Sequence, residues 1–258
     1  MIPDSEWLAK AKSLTVGMRT RIMHRSERRP NLAIGNDLDK WWCYCHACHE
    51  GGVVEKSHVL LGEHNVVHDG VSLPRDIKPV HQSDFEIPIA RFLADKNMSD
   101  LYLPNLHYSE ERKRLMMRLE GIWHGRDLTG RSPQKWMNYG NATYIGSPFT
   151  YTAVVEDIFS MFKVRWAMRQ YPNFTAMCNL GTNAGLGITY AMSQSKCIQK
   201  LGWFFDADPA GDHGSHECHK RMQPFGIQQY RVRPPEGLDP KDMTCEEIRA
   251  ALTKEMQI

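Results

Sequence analysis

The chain has 258 residues, of which 41% are hydrophobic and 24% charged, and its formal net charge is +2. This composition is ordinary for a folded protein and excludes a disordered or collagen-like chain. Because the charges nearly balance, any binding of nucleic acid has to rely on local basic patches. No apolar run approaches the roughly 20 residues that span a bilayer, and no secretory signal is visible. We therefore expect a cytoplasmic protein of a bacterial or infected host cell, with no membrane partner.

Three of the seven cysteines lie close together near the N-terminus, as Cys43, Cys45 and Cys48. The odd number and scattered placement of the cysteines argue against a disulfide framework. The Cys-x-x-Cys spacing of the last two lets a pair of thiolates hold one tetrahedral Zn²⁺ from a tight turn. The alternative is a metal-free ribbon whose cysteines pack as small hydrophobic side chains. We predict a small, β-rich, zinc-ribbon-like domain over residues 1–69.

Basic and aromatic side chains surround this cysteine cluster. Positive side chains can follow phosphates while aromatic rings stack on bases, each stack contributing on the order of 1–3 kcal/mol. The alternative is that the adjacent Trp41 and Trp42 belong to the core of the domain. Because neighbouring strand residues face opposite sides, only one of the two has to be buried there. The candidate template-binding residues here are Arg28, Arg29 and Trp41.

The texture of the chain changes twice after this region. Prolines interrupt residues 70–100, which we predict to be a linker with a short helix from Ile89 to Asp95. From residue 101 to the end at 258, strand-like runs alternate with helical patterns, which favours a mostly parallel sheet with helices on its faces. The clearest predicted elements are strands at 153–155 and 201–205, a helix at 158–170 and a helix beginning at the capping box 244–247.

Carboxylates directly follow two of these strands. Glu156 comes after the first, and Asp206 and Asp208 come after the second, with Asp212 at the end of the same acidic run. Ligands bind beyond the carboxyl ends of strands in open α/β sheets, so we expect these acids to converge. Clustered carboxylates repel unless a cation neutralises them, and Mg²⁺ commonly binds a few carboxylates together with substrate phosphates. The pattern favours metal-assisted phosphoryl transfer, although any single Asp could equally be a cap or turn residue.

The segments around these acids resemble the Toprim fold of DnaG-type primases, topoisomerases and some nucleases. They read Val-Glu-Asp at 155–157 and Asp-Ala-Asp-Pro-Ala-Gly at 206–211. The tail Pro-Glu-Gly-Leu-Asp-Pro-Lys-Asp at 235–242 and the stretch Arg-Asp-Leu-Thr-Gly-Arg at 126–131 resemble the primase branch in particular. The resemblance extends from about residue 107 to the end and, more weakly, over the first 60 residues.

The resemblance assigns roles to individual residues of this chain. It implies that Glu156, Asp206 and Asp208 hold Mg²⁺ or Mn²⁺, and that Asp239 is a further acidic member of the site. Asp212 is an additional candidate ligand in the same run. The residues that it places near nucleotide or template are Arg126, Arg131 and Lys135.

In DnaG-type primases a Cys-x-x-His pair upstream completes the zinc site. Here His24 fits the second position of that pair, but Arg21 stands at the first and cannot bind zinc. Either another residue supplies the fourth ligand or the site has lost its metal. Cys43 is the preferred replacement, ahead of His46 and His49. The expected zinc ligands are His24, Cys43, Cys45 and Cys48.

The residues and the resemblance together predict a DNA-dependent RNA primase. Such an enzyme would join ribonucleoside triphosphates on a single-stranded DNA template by two-metal nucleotidyl transfer. No Gly-x-x-x-x-Gly-Lys-Ser/Thr motif is present, so we expect a separate helicase partner rather than a fused motor. The compact chain suggests a phage or mobile-element protein. Two alternatives stay open. One is a Toprim nuclease. The other is a nucleic-acid-binding replication factor without catalytic activity, which the loss of a zinc ligand at Arg21 supports.

Overall fold

The structure, a computed structural model, divides the chain into two compact units, Met1–Val71 and Ser72–Ile258. In the part of the chain that it describes, no helix is both long and apolar enough to cross a bilayer. The described residues are 1–14, 18–25, 29–37, 39–56, 72–98, 103, 106–132, 134–140, 142–181 and 186–258.

The first unit packs one helix, α1 (Asp4–Lys12), on a four-stranded antiparallel sheet in which the strands follow chain order. Trp7 and Ala11 of α1 are buried in the core of this unit. Gly52 makes this packing possible, because a Cβ there would lie 3.0 Å from the indole nitrogen of Trp7. The predicted β-rich N-terminal region is therefore confirmed. Its strands are β1 (Arg19–Ile22), β2 (Leu32–Asn36), β3 (Lys40–Cys45) and β4 (Gly51–Glu55).

The second unit opens with an antiparallel sheet whose five strands also follow chain order. The helix α2 (Glu86–Asp95) lies between the first two strands and buries Ile89 in the main core of the unit. It starts three residues before the predicted helix, because Pro88 falls in its first turn, where a missing N–H costs no hydrogen bond. The strands are β5 (Lys78–Pro79), β6 (His107–Ser109), β7 (Arg114–Leu119), β8 (Ile122–Asp127) and β9 (Trp136–Tyr139).

A four-stranded parallel sheet forms the rest of the second unit, in the order β11-β10-β12-β13. Its strands are β10 (Tyr151–Val155), β11 (Phe174–Cys178), β12 (Lys200–Trp203) and β13 (Gln228–Arg231). The helices that accompany them are α3 (Ile158–Ala167), α4 (Leu186–Gln194), α5 (Pro209–Met222) and α6 (Cys245–Met256).

Helices cover both faces of this parallel sheet. Along β10, Ala153 and Val155 belong to the core that also contains residues of α3 and α6, whereas Val154 belongs to the core that contains residues of α4 and α5. This alternation follows from the two-residue period of a strand. The predicted α/β class, a parallel sheet flanked by helices, is confirmed. The predicted strand at 201–205 ends at Trp203, although both phenylalanines after it stay fully buried.

Candidate functional site

Two neighbouring strands of the parallel sheet bring Glu156 and Asp206 into direct contact. β10 and β12 lie side by side, so the residues after each strand leave the sheet at the same edge. The backbone N–H of Asp206 donates a hydrogen bond of 3.0 Å to Oε1 of Glu156. The two acids are 50 positions apart in sequence but share one site.

The start of α5 packs tightly behind this pair. The side chain of Asp208 caps the helix, since its Oδ1 accepts a hydrogen bond of 2.7 Å from the N–H of Gly211. A Cβ on Gly211 would overlap the carbonyl oxygen of Asp206 and lie 3.0 Å from Oε1 of Glu156. Glycine is therefore required for this close approach, and Asp208 is an exposed residue at the start of the helix.

The site strongly perturbs the protonation of both acids. Burial raises the pKa of Glu156 to about 7; the backbone hydrogen bond from Asp206 opposes this shift, and the charges of Asp208, Asp157 and Asp239 contribute to it. Burial and then the charge of Glu156 raise the pKa of Asp206 to about 8. The buried Oδ1 of Asp206 has no hydrogen-bond partner among the described residues. These carboxylates hold protons near neutral pH unless a cation replaces them.

A buried lysine that the sequence analysis does not single out organises the remaining acids. Lys241, which is 7% exposed, donates a 2.9 Å hydrogen bond to Oδ2 of Asp157 and another to Oδ2 of Asp239. Burial opposes its charge, but the two carboxylates together raise the pKa of Lys241 above its usual value. Although burial alone would raise it, hydrogen bonding to Lys241 holds the pKa of Asp239 below its usual range.

Asp157 has a second structural role beside Glu156. It caps α3, accepting hydrogen bonds from the N–H groups of Phe159 at 2.8 Å and Ser160 at 3.0 Å.

A sequence signal for Lys241 did exist, because it lies in the Leu-Asp-Pro-Lys-Asp stretch of the tail. Its partner Asp157 is 84 positions away, however, so local spacing does not indicate the ion pair.

A cleft of about 400 Å³ lies over these acids. One wall carries Glu156, Asp157, Asp206 and Asp239, together with Lys241. The other wall is basic and polar, so the cleft is suited to a ligand that carries both phosphates and a cation. The side chains of that second wall are Lys96, Arg126, Lys135, Trp136 and Asn138.

The β8–β9 hairpin presents the basic wall. Arg126 and Trp136 are directly paired across the two strands, and the guanidinium lies 5.6 Å from the centre of the indole ring. Burial lowers the pKa of Arg126, while the nearby Asp157 and Asp127 oppose that effect. Its Nε atom is buried and has no hydrogen-bond partner among the described residues.

Asp208, Asp212 and Arg131, all predicted to belong to the site, are not among the residues that line the cleft. Asp212 lies on α5, and its carboxylate binds Arg231 at 2.8 Å and Arg233 at 3.1 Å. These arginine hydrogen bonds lower the pKa of Asp212. Arg131 lies in the exposed turn after β8, where its N–H donates to the hydroxyl of Thr129 at 3.1 Å.

The donor set of the cleft fits a hard divalent cation. The negative charges of Glu156 and Asp206 repel each other, and a bound cation would relieve this repulsion. Oδ1 of Asp206, which has no hydrogen-bond partner among the described residues, is an atom that such an ion could bind. Hard oxygen ligands of this type suit Mg²⁺ better than softer metals.

A second candidate centre lies in the first unit. One ligand atom each from His24, Cys45 and Cys48 lies within 4.8 Å of the others, and this donor set fits Zn²⁺. Nδ1 of His24 is 3.7 Å from Sγ of Cys48, and its Nε2 is 3.3 Å from a carboxylate oxygen of Glu6. Cys43, expected to be the fourth ligand, is not a member of this cluster, although it shares the core of the unit with Cys45.

Cations surround the tryptophans of the same unit. The ammonium groups of Lys12 and Lys56 lie 5.1 and 4.9 Å from the centre of the Trp41 ring, and Arg19 lies 5.2 Å from that of Trp42. Trp41 packs against the core. Of the other predicted template residues, Arg29 is exposed, and Arg28 lies outside the described residues.

No protein-family model and no curated protein matches the sequence. Among solved structures, the chain is similar to the zinc-binding and RNA polymerase domains of the Aquifex aeolicus primase. The sequence identity is 14% and the TM-score is 0.48, and the alignment covers 96% of this chain and 82% of that chain. It is also similar to the RNA polymerase domain of the Mycobacterium tuberculosis primase DnaG (18% identity, 69% of this chain, 63% of that chain, TM-score 0.44).

A third similar structure is the primase fragment of the bacteriophage T7 primase-helicase protein, with 11% identity and a TM-score of 0.38. The alignment covers 91% of this chain and 99% of that one. The chain thus spans 63% of the Mycobacterium tuberculosis domain that it matches and nearly all of the phage fragment. In structure, the protein is similar to primases of the bacterial DnaG and phage T7 kinds.

Proposed function

We propose that this chain is a DNA primase that synthesises short RNA primers on single-stranded DNA at the cleft of its second unit. The observation that carries the proposal is the pairing of a half-buried acidic wall, centred on Glu156 and Asp206, with a basic wall in one cleft. A nucleoside triphosphate with its divalent cation has the charges that this arrangement complements. Glu156 and Asp206 meet after adjacent strands of the parallel sheet, as the resemblance to the Toprim fold implies, and this supports the same assignment.

The residues of the acidic wall would hold the cation. Glu156 and Asp206 supply the inner oxygens, with Asp208 and Asp239 at the rim. When bound, Mg²⁺ neutralises the phosphates and lowers the barrier to attack of a 3′-hydroxyl on the α-phosphorus, in a two-metal nucleotidyl transfer. Hydrogen bonding to Lys241 keeps Asp239 ionised, so that this carboxylate can bind a cation.

The basic wall would position the triphosphate. Lys96 pairs with Asp242 at 3.0 Å, whereas Arg126 brings a buried donor without a described partner to the cleft. Guanidinium groups bind phosphate oxygens with defined geometry, and lysines add positive charge. Arg126 and Lys135 are therefore the residues that we assign to the incoming nucleotide.

The first unit would hold the template strand. Lys12, Lys56 and Arg19 supply positive charge around Trp41 and Trp42, whose rings can stack on unpaired bases. Zn²⁺ bound by the cysteine cluster would help this small unit to fold. A separate replicative helicase is the proposed partner, and a phage or mobile element the proposed source.

Primer synthesis on a single-stranded template with labelled ribonucleotides and Mg²⁺ or Mn²⁺ tests the proposal. We expect Asp206→Asn and Glu156→Gln to lose activity about 100-fold or more, because metal-assisted charge stabilisation contributes several kcal/mol. The matched control is Glu217→Gln on the exposed side of α5, which should keep full activity. Shortening of the template would instead assign a nuclease, and binding without any product would assign an inactive replication factor.

A further inference from the structure

We infer that Arg231 is a positioning residue of the cleft, because its guanidinium group holds the backbone of Asp206 in place beside Glu156. Arg231 is the last residue of β13. Asp212, which was predicted to be a metal ligand, orients this guanidinium group instead. The role of Arg231 in cation binding rests on the function proposed above, whereas its contacts with the backbone do not.

The pairing of β12 with β13 ends just before the acidic site. Trp203 is the last residue of β12, and its partner is Arg231. The carbonyl groups of the residues that follow are therefore outside this strand pair, although Phe205 is fully buried. Since a buried carbonyl group without a hydrogen bond costs free energy, another donor has to reach these groups.

The guanidinium group of Arg231 is that donor. Its Nη1 donates to the carbonyl oxygen of Phe205 at 3.0 Å, and its Nη2 donates to that of Asp206 at 3.0 Å. Nη1 also donates to the carbonyl oxygens of Trp203 at 3.2 Å and Val232 at 2.8 Å. One side chain thus joins the ends of both strands to the residue that carries the acid.

Asp206 is therefore held on both sides of its own side chain. Its carbonyl oxygen accepts from Arg231, while its N–H donates to Oε1 of Glu156 at 3.0 Å. The start of α5 packs against the same carbonyl oxygen, since a Cβ on Gly211 would overlap it. With both peptide groups fixed, the carboxylate of Asp206 leaves the backbone at a defined point, which is what a metal ligand needs.

Asp212 sets the direction of the guanidinium group. Its Oδ1 accepts a hydrogen bond of 2.8 Å from Nη2 of Arg231, the nitrogen that also donates to Asp206. The donors of a guanidinium group have fixed directions in one plane, so an ion pair at one nitrogen orients the whole group. Arg233 binds the same carboxylate at 3.1 Å but is more exposed, with 48% of its side chain accessible against 25% for Arg231.

The substitution Arg231→Lys separates the ion pair from the positioning role. An ammonium group keeps the positive charge beside Asp212. Its single nitrogen atom cannot replace the two guanidinium nitrogens that bind Phe205 and Asp206 separately. The variant should therefore fold but release the backbone of Asp206. Arg233→Lys is the matched control, because it changes the more exposed partner of the same carboxylate.

Amide hydrogen exchange of the metal-free full chain, resolved by NMR, tests the backbone contact. We expect Arg231→Lys to speed exchange at the Asp206 amide about 10-fold, because a hydrogen bond from a charged donor is lost next to it. The amides of β10 should keep their exchange rates. In Arg233→Lys, the Asp206 amide should exchange as it does in the unmodified chain.

Binding of Mn²⁺ to the same variants, measured by electron paramagnetic resonance without nucleotide or DNA, tests the link to the cation. Contacts that orient a metal ligand change affinity by about 10–100-fold, so Arg231→Lys should weaken Mn²⁺ binding at least about 10-fold. Asp212→Asn should weaken it less, since the guanidinium group remains but loses the carboxylate that orients it. Arg233→Lys should bind Mn²⁺ as the unmodified chain does.

Three results would overturn the inference. One is an unchanged exchange rate at Asp206 in Arg231→Lys. Another is equal acceleration of the β10 amides, which would limit Arg231 to global stability. The third is an unchanged affinity for Mn²⁺. If Arg231→Lys does not fold, Asp212→Asn carries both measurements with the same criteria.

Failure of the proposed function gives a different pattern. An unmodified chain that makes no primers, but shows these contrasts in exchange and Mn²⁺ binding, would refute primase activity and leave the role of Arg231 intact. An unmodified chain that binds no Mn²⁺ would overturn both.

Discussion

The two candidate metal centres are held in place by different means. In the cleft, Glu156 and Asp206 leave adjacent strands of a sheet covered on both faces, and a backbone hydrogen bond links them. In the first unit, His24 follows β1 and Cys48 lies in a turn, beside a core of only a few buried residues. The fold itself fixes the acidic site, whereas the metal would help to fix the cysteine site.

This difference sets the cost of losing a metal. In the absence of a cation, Glu156 and Asp206 would hold protons, because the pKa values of both carboxyl groups are raised. Without zinc, the first unit loses binding free energy that contributes directly to its folding. The second unit should therefore tolerate metal removal, while the first unit should not.

Loss of the buried ammonium group of Lys241 should have the largest effect. In Lys241→Met, the carboxylates of Asp157 and Asp239 lose the ammonium group that they share. Breaking a buried ion pair on one side costs about 3–5 kcal/mol, because an uncompensated charge remains. Urea denaturation followed by circular dichroism measures the loss of unfolding free energy.

The matched control for this variant is Lys254→Met. Lys254 lies on α6 with 82% of its side chain exposed and a 3.6 Å contact to Glu255. Its loss should change stability by less than about 1 kcal/mol. Equal effects of the two lysine variants would mean that the cleft is not organised by its own ion pairs.

Zinc removal should affect the first unit and spare the second. At a free zinc concentration about 100 times the Kd, binding contributes about 2.7 kcal/mol, so chelation should speed global amide exchange in that unit about 100-fold. Hydrogen exchange of the full chain reads both units at once. Amides of β2 and β3 should lose protection, while those of β10 and β12 should keep it. Equal loss in both units would erase the contrast between the centres.

Local pattern was enough to find the acids of the cleft but not their neighbours. Glu156 and Asp206 each come after an apolar run, and strands buried on both faces bring the residues at their carboxyl ends to one sheet edge. Asp212 resembles these site acids in its sequence context. However, β13 lies next to β12 and carries Arg231, which forms an ion pair with the Asp212 carboxylate. Which strand joins a sheet edge is a long-range property, and no spacing near Asp212 encodes it.

The same limit applies to the zinc site. The Cys-x-x-Cys spacing marks two ligands because both lie in one turn. Cys43 is not in the cluster of His24, Cys45 and Cys48, even though Cys43 and Cys45 lie in the same core with Trp7. Side-chain alternation alone puts Cys43 and Cys45 on one face, and only tertiary packing separates their roles.

Crowding at the start of α5 should give the next largest effect. In Gly211→Ala, the new methyl group would overlap the carbonyl oxygen of Asp206, which is backbone and cannot simply rotate away. Overpacking of this kind costs about 1–3 kcal/mol and should also weaken Mg²⁺ binding measured by calorimetry. Ala210→Ser, one residue earlier and exposed, should be neutral within about 0.5 kcal/mol. A stable Gly211→Ala variant with normal Mg²⁺ affinity would contradict the tight packing.

The smallest expected effect is the pH dependence of stability in a chelator. Burial raises the pKa of Glu156 to about 7 and, with the charge of Glu156, the pKa of Asp206 to about 8. Unfolding restores both to about 4, so between about pH 4 and 8 the folded chain binds more protons than the unfolded chain. Stability from these groups is therefore present below about pH 4 and is lost as the pH rises through about 7 and 8.

Melting of the full chain in a chelator measures this loss. Because water in the cleft screens both carboxylates, we expect only about 1 kcal/mol, or about 2–4 °C in Tm, between about pH 6 and 9. Asp206→Asn should flatten the slope, since it removes one of the two titrating groups. Asp212→Asn should lower Tm without changing the slope, because arginine hydrogen bonds keep the pKa of Asp212 low. Mg²⁺ should raise Tm most at the alkaline end, where it no longer competes with protons; a pH-independent Mg²⁺ effect would place the ion away from these two acids.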